Sequence, residues 1–203
     1  MKNTQNDGNS YQKAALLLNV DIAMIKAVKK IESGNRGAFL SDGRPVILFE
    51  GHIFWQQLKQ RKIDPDTLAK KHPSIIYRQW TKIHYRTFKG EWERLNQAIA
   101  IHRDAARESA SWGAFQILGI NFRACGCSSL DEFCEAMSQS EESQLLLFSK
   151  FIISRGLQRY LKAKQWEEFA KRYNGPGYKK NNYHIKLKEA YELFTNKNPI
   201  TKL

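Results

Sequence analysis

Residues Asp21 to Gly34, DIAMIKAVKKIESG, read as one short helix that ends in a carboxylate. Asp21 is a good N-cap because its side chain can accept an orphan backbone N–H. Gly34 is a good stop because glycine takes the left-handed conformation that ends helices. Between them Ile22, Ile25, Val28 and Ile31 recur every third residue, the core-facing stripe of an amphipathic helix. Glu32 follows Val28 by four and Ile25 by seven, so its carboxyl falls beside that stripe and away from Lys26, Lys29 and Lys30. A carboxyl among apolar neighbours is costly to ionise, and one that keeps its proton near neutrality can act as a general acid. An isolated E-S-G is more often only a helix end, so its weight depends on the rest of the chain.

The chain has 203 residues, 42% of them hydrophobic and 12% aromatic, enough for a substantial core. The expected organisation is a flexible segment 1–10, one domain over 11–196 and a short tail, 197–203. No apolar run approaches the ~20 residues that span a bilayer. The N-terminus lacks the layout of a signal peptide, so the expected product is a soluble cytoplasmic protein. The formal net charge is +13, which implies attraction to a polyanion. The lysines are dispersed rather than gathered in a basic arm, which argues against a dedicated nucleic-acid tail. Cys125, Cys127 and Cys134 match no usual zinc spacing, and reduced, buried thiols are the expectation. No metal or cofactor motif is present.

Along the chain, helices are expected at Tyr11–Leu18 and Ile22–Ser33. Asp42-Gly43 between Ala38–Leu40 and Val46–Phe49 signals a small hairpin with Glu50 at its exit. Short helices follow at His52–Lys59 and after Asp64-Pro65. Glu91–Glu108 reads as one helix, and Ser109–Ile120 as the most buried helix. Further helices are expected at Glu132–Met137, Glu141–Gly156, Leu157–Ala163, Trp166–Tyr173 and Tyr183–Phe194. Residues 74–90 show no clear pattern, and their aromatics Tyr77, Trp80, Tyr85 and Phe88 are expected to fill a lobe rather than stack on a ligand. The fold class is mainly α, with about eight or nine helices and one small β-hairpin after the first carboxylate-bearing helix.

Three short motifs occur in order: Glu32-Ser33-Gly34, then Ser111-Trp112-Gly113-Ala114-Phe115-Gln116-Ile117, then Arg172-Tyr173-Asn174-Gly175-Pro176. Together they resemble the lysozyme-like muramidases. In goose-type lysozymes and soluble lytic transglycosylases, E-S is followed by G-L-M-Q and Y-N-A-G; here Ala114-Phe115 replaces the Leu-Met pair. More closely, DGRPVILFEGHIF, RDAARESASWGAFQILGINFRACG and RYNGPGY resemble the N-acetylmuramidase domain of phage endolysins, over about Tyr11 to Phe194.

The resemblance implies a lysozyme-like fold and a peptidoglycan hydrolase. Glu32 would protonate the glycosidic oxygen between N-acetylmuramic acid and N-acetylglucosamine. Ser33, Ser111, Gln116, Tyr173 and Asn174 would contact substrate. The residue types suit this: Gly113 lets a sugar approach the backbone, and Gln116 offers both donor and acceptor to an acetamido group. Glycosidic hydrolysis usually needs a second carboxylate. Glu50, rigidly held after an apolar strand, is the first choice. Asp42 is the alternative, although its position in an Asp-Gly turn explains it better as a turn former.

If neither acid serves, the enzyme would release anhydro sugars as lytic transglycosylases do. A different class of function is a basic protein that binds peptidoglycan or nucleic acid without catalysis. For an enzyme, the expected partners are glycan strands and the anionic cell envelope, the protein is a monomer, and it reaches the wall through a holin or another route.

Overall fold

The computed structural model describes residues 4–34 and 37–196. The expected tail 197–203 lies outside the described residues. The first helix, α1 (Thr4–Leu18), starts well before Tyr11, so residues 4–10 belong to a helix rather than to a frayed segment. Next, α2 (Ile22–Ser33) runs as its stripe predicts. Asp21 accepts the Met24 N–H at 2.7 Å, and Gly34, with φ +58°, ends the helix by donating its N–H to the Lys30 carbonyl.

The expected hairpin is only partly formed. Phe39 and Pro45 make a single bridge, and β1 (Ile47–Phe49) takes its partner from far along the chain. That partner is the segment expected to be a helix. Ser109–Phe115 is buried as predicted and Ile120 is exposed, but the segment folds as β2 (Ala110–Trp112), a tight turn, β3 (Ile117–Leu118) and a one-turn 3-10 helix, Gly119–Asn121. The antiparallel order is β1-β2-β3. A short apolar run has no period with which to separate a buried strand from a buried helix. Here the turn decides: Gly113 (φ +70°) and Gln116 (φ +48°) both take left-handed backbone, which a helix excludes. A Cβ on Gly113 would lie 2.5 Å from the Gln144 side chain, so the close approach also demands glycine.

After β1 come α3 (Gly51–Gln60) and α4 (Pro65–Lys71), then an irregular stretch to Thr87. Only part of that stretch fills a lobe: Tyr77 and Tyr85 are half-buried, whereas Trp80 is exposed, as is Phe88 just beyond its end. The helix expected over Glu91–Glu108 is two helices, α5 (Phe88–Ile101) and α6 (Arg103–Glu108). His102 breaks it by adopting extended backbone, and its Nδ1 accepts the Ala105 N–H as the cap of α6. The C-terminal half contains α7 (Leu130–Gln139), α8 (Glu141–Ser154), α9 (Gln158–Lys162), α10 (Trp166–Tyr173) and α11 (Tyr183–Asn196). The described residues thus hold eleven α-helices, more than the eight or nine expected, although only one expected run, Glu91–Glu108, is divided.

One core joins these elements. Six phenylalanines, among them Phe49, Phe115, Phe148 and Phe169, are fully buried. Phe115 stacks on Phe148 with ring centroids 4.1 Å apart, tying the β2–β3 turn to α8. The antiparallel pair of α2 and α11 is closed at both ends by tyrosines: Tyr191 donates to Asp21 Oδ2 at 2.7 Å, and Tyr183 donates to Glu32 Oε1 at 2.5 Å. None of the helices among the described residues is long and apolar enough to cross a membrane.

Candidate active site

A cleft of about 660 Å³ opens between the α2–α11 pair and the sheet. Its floor follows from strand alternation. Leu48, Ser111 and Leu118 are register partners across the three strands, and all three face the cleft. Their neighbours Ile47, Phe49, Ala110 and Trp112 are buried and do not line the cleft, whereas Ile117, also buried, touches it. Glu32 lines one wall and Glu50 another, and Gln116, Tyr173, Asn174 and Tyr183 also line the cleft. Six of the eight residues singled out in the sequence therefore meet in one concavity: Glu32, Glu50, Ser111, Gln116, Tyr173 and Asn174.

Two do not. Ser33 is 1% exposed, its hydroxyl donates to the Lys29 carbonyl at 3.0 Å, the back-bond of a serine inside a helix, and it is not among the residues lining the cleft. Asp42 is exposed, accepts from the Arg44 N–H and guanidinium, and is not among the residues lining the cleft. Those hydrogen bonds from Arg44 hold its carboxyl below the usual range, as suits a turn former.

The Glu32 wall is made by helices. Tyr183, at the start of α11, presents its hydroxyl to Glu32. Burial, reinforced by the Glu32 charge, pushes that phenol well up, so it stays protonated and remains a donor. Tyr173 is caged by Phe148, Phe151 and Phe169, and donates to the Phe115 carbonyl at 2.9 Å. Its ring thus fixes the turn that carries Gln116. Gln116 Nε2 in turn donates to the Gly113 carbonyl, while the buried Gln144 accepts the Ala114 N–H and donates to the Met137 carbonyl.

The Glu50 wall is made differently. Glu50 immediately precedes α3, but its side chain does not cap that helix. Its Oε2 accepts from the Tyr85 hydroxyl at 2.7 Å and lies 3.4 Å from His52 Nδ1. Burial pushes the Glu50 carboxyl up, and the Tyr85 hydrogen bond and the Arg94 charge oppose that rise. Burial also lowers His52, which favours its neutral form.

Behind this wall, the edge of β1 is satisfied by side chains instead of another strand. Glu91 accepts the Phe49 N–H at 2.9 Å, and Arg94 donates to the Phe49 carbonyl at 3.0 Å. Arg94 and Glu91 pair with each other at 2.9 Å, and both are almost fully buried. Arg94 also donates to the Ser74 carbonyl and to Tyr77, whose hydroxyl accepts the Gly51 N–H. A Cβ on Gly51 would fall 2.3 Å from the Tyr77 ring, so this residue must be glycine. Glu50 therefore stands between two backbone positions that are each held by a buried network.

Tyr183, Tyr85, His52, Tyr77, Glu91 and Arg94 were not legible in the sequence as parts of a site. Their partners lie 35 to 151 residues away for the two tyrosine–glutamate bonds, and no period or motif links them. The one available hint was the aromatic density of residues 74–90. Among the described residues no group of histidines, cysteines and acids is placed to hold a metal ion. The three cysteines are buried and free, and burial pushes their thiols up, Cys125 to about 12 and Cys134 to about 11.

A concave site with two partly buried carboxyls and amide and hydroxyl donors suits glycosidic chemistry. Comparison with known proteins agrees. The family model for N-acetylmuramidase matches residues 21–195. The crystal structure of a Burkholderia AP3 phage endolysin superposes with a TM-score of 0.80 at 37% identity, covering 93% of this chain and 71% of that one. No curated protein sequence matches. The architecture is a lysozyme-like endolysin fold, and the protein is a glycoside hydrolase acting on peptidoglycan. Within that class, the chain belongs to the N-acetylmuramidase family, in its phage-endolysin form.

Proposed function

We propose that the enzyme cleaves the β-1,4 bond between N-acetylmuramic acid and N-acetylglucosamine, with Glu32 as general acid and Glu50 as the second carboxylate. The observation that carries this is that the two carboxylates line one cleft from separate walls, with the sheet floor between them. The strand would lie over Leu48, Ser111 and Leu118, with Gln116 and Asn174 reaching its acetamido and hydroxyl groups. Glu32 gives a proton to the leaving oxygen. The protonated Tyr183 then donates to the carboxylate that remains and stabilises it. Glu50, ionised, activates water or stabilises the oxocarbenium ion from the other wall.

The net charge of +13 supports attraction to the anionic envelope, which acts on association and weakens with salt. The upward shift of Glu50 supports one alternative for the second half of the reaction: a Glu50 that keeps its proton activates no water, and the muramoyl hydroxyl would close an anhydro ring instead.

Mass spectrometry of fragments released from purified peptidoglycan tests these readings. Reducing N-acetylmuramic acid ends, lost in Glu32→Gln, are expected. Anhydro ends would move the enzyme to the transglycosylases. Fragments ending in reducing N-acetylglucosamine would overturn the bond assignment.

A further inference from the structure

Of the five tryptophans, three use their indole N–H on an internal acceptor: Trp55 on Asp66, Trp92 on the Pro45 carbonyl and Trp112 on the Arg107 carbonyl. Trp166 packs on Tyr191. Trp80 differs, with 47% of its surface exposed. It is also flanked by two ammonium groups from separate parts of the chain. Lys82 Nζ lies 5.6 Å from the ring centroid and Lys180 Nζ 5.9 Å. Lys82 lines the cleft, and Lys180 precedes Asn181, which also lines it. Among the described residues neither lysine has a carboxylate within ion-pair distance.

We propose that Trp80, with Lys82 and Lys180, is a substrate subsite at the mouth of the cleft, taking a pyranose of the glycan strand that carries an acidic peptide stem. This rests on the reading of the cleft as the glycan site. An exposed indole offers a flat apolar face to the C–H face of a sugar ring. Cation–π contacts at an exposed site are weak, so the lysines can swing from the ring to its rim when a sugar stacks there. At the rim their charges meet what peptidoglycan has and chitin lacks, the carboxylates of the stem.

The test measures binding to the Glu32→Gln protein by calorimetry, using soluble glycan strands that retain their stems and, separately, chitohexaose. Adding Trp80→Ala is expected to weaken binding of the stem-bearing strands about tenfold. Trp80→Phe, which keeps an aromatic face, is expected to retain most of the affinity and shows that any loss in Trp80→Ala is not misfolding. Lys82→Gln with Lys180→Gln is expected to weaken the stem-bearing strands several-fold and leave chitohexaose unchanged. Unchanged affinity in Trp80→Ala, or equal losses for both ligands in the lysine pair, would overturn the proposal. Binding is read without turnover, so failure of the wild-type enzyme to yield the expected ends would count against the functional reading while this subsite stood or fell by calorimetry.

Discussion

The two walls of the cleft hold their carboxylates by opposite means. Glu32 ends a helix whose apolar stripe, cap and stop are all local, and Tyr183 from α11 reaches it. Glu50 follows a three-residue strand that would have a bare edge, and a buried arginine–glutamate pair supplies the missing hydrogen bonds. A carboxylate on a helix inherits its place from packing the whole helix face. A carboxylate beside a sheet edge depends on each polar contact, because an unsatisfied buried group costs about 1–3 kcal/mol. The Glu50 wall should therefore be fragile to single substitutions that the Glu32 wall tolerates.

The largest expected effect separates chemistry from scaffold. Glu32→Gln should lower kcat on peptidoglycan by about a thousandfold or more, since a positioned acid contributes on the order of 10²–10⁴. Its circular dichroism and melting temperature should stay near wild type. Residual turnover within tenfold of wild type would remove Glu32 from the acid role. On the other wall, Arg94→Ala should destabilise the fold by about 3–5 kcal/mol, because it leaves Glu91 buried without its partner and strips the Phe49 carbonyl. Urea denaturation measures this, and a loss under 1 kcal/mol would mean the clasp on β1 is ornamental.

Glu50→Gln should be smaller in rate, about a hundredfold, and opposite in stability. Burial disfavours the ionised form of Glu50, so the neutral amide should raise the melting temperature at pH 7 while activity falls. A fall in both would show that the carboxylate is structural. The smallest and sharpest effect is in pH. The Tyr85 hydrogen bond lowers the Glu50 pKa, so Tyr85→Phe removes that pull and the pKa rises. If Glu50 works ionised, the acidic limb of kcat/KM should move to higher pH in Tyr85→Phe, with little change at its plateau. A limb that stays put, or moves to lower pH, would assign it to another group.

The same contrast explains what was readable. The α2 helix, Glu32 and the Asp21 cap announce themselves because helical packing writes a period of three to four into adjacent residues. Glu50 was legible as a strand exit, but its strand was paired with the wrong neighbour. The segment Ser109–Ile120 was legible as mostly buried and misread as helical, because burial on both faces erases the alternation that marks a strand. Ser33 was misassigned for a related reason: the motif places it next to Glu32, but one residue on a helix is a rotation of about 100°, enough to turn it from the cleft into the core.

By itself the sequence determined the helical class, the core stripes, the general-acid candidate and, through three ordered motifs, the family. These are local or short-range signals, and hydrophobic periodicity and glycine positions record them directly. Tertiary structure alone decided that β1 pairs with β2, that Ser33 and Asp42 stand outside the cleft, and that Tyr183 and Tyr85 each address one carboxylate. Those contacts join residues with no common period. A polar side chain's partner is set by where the fold brings the two groups, since hydrogen bonds are directional and act only over about 3 Å.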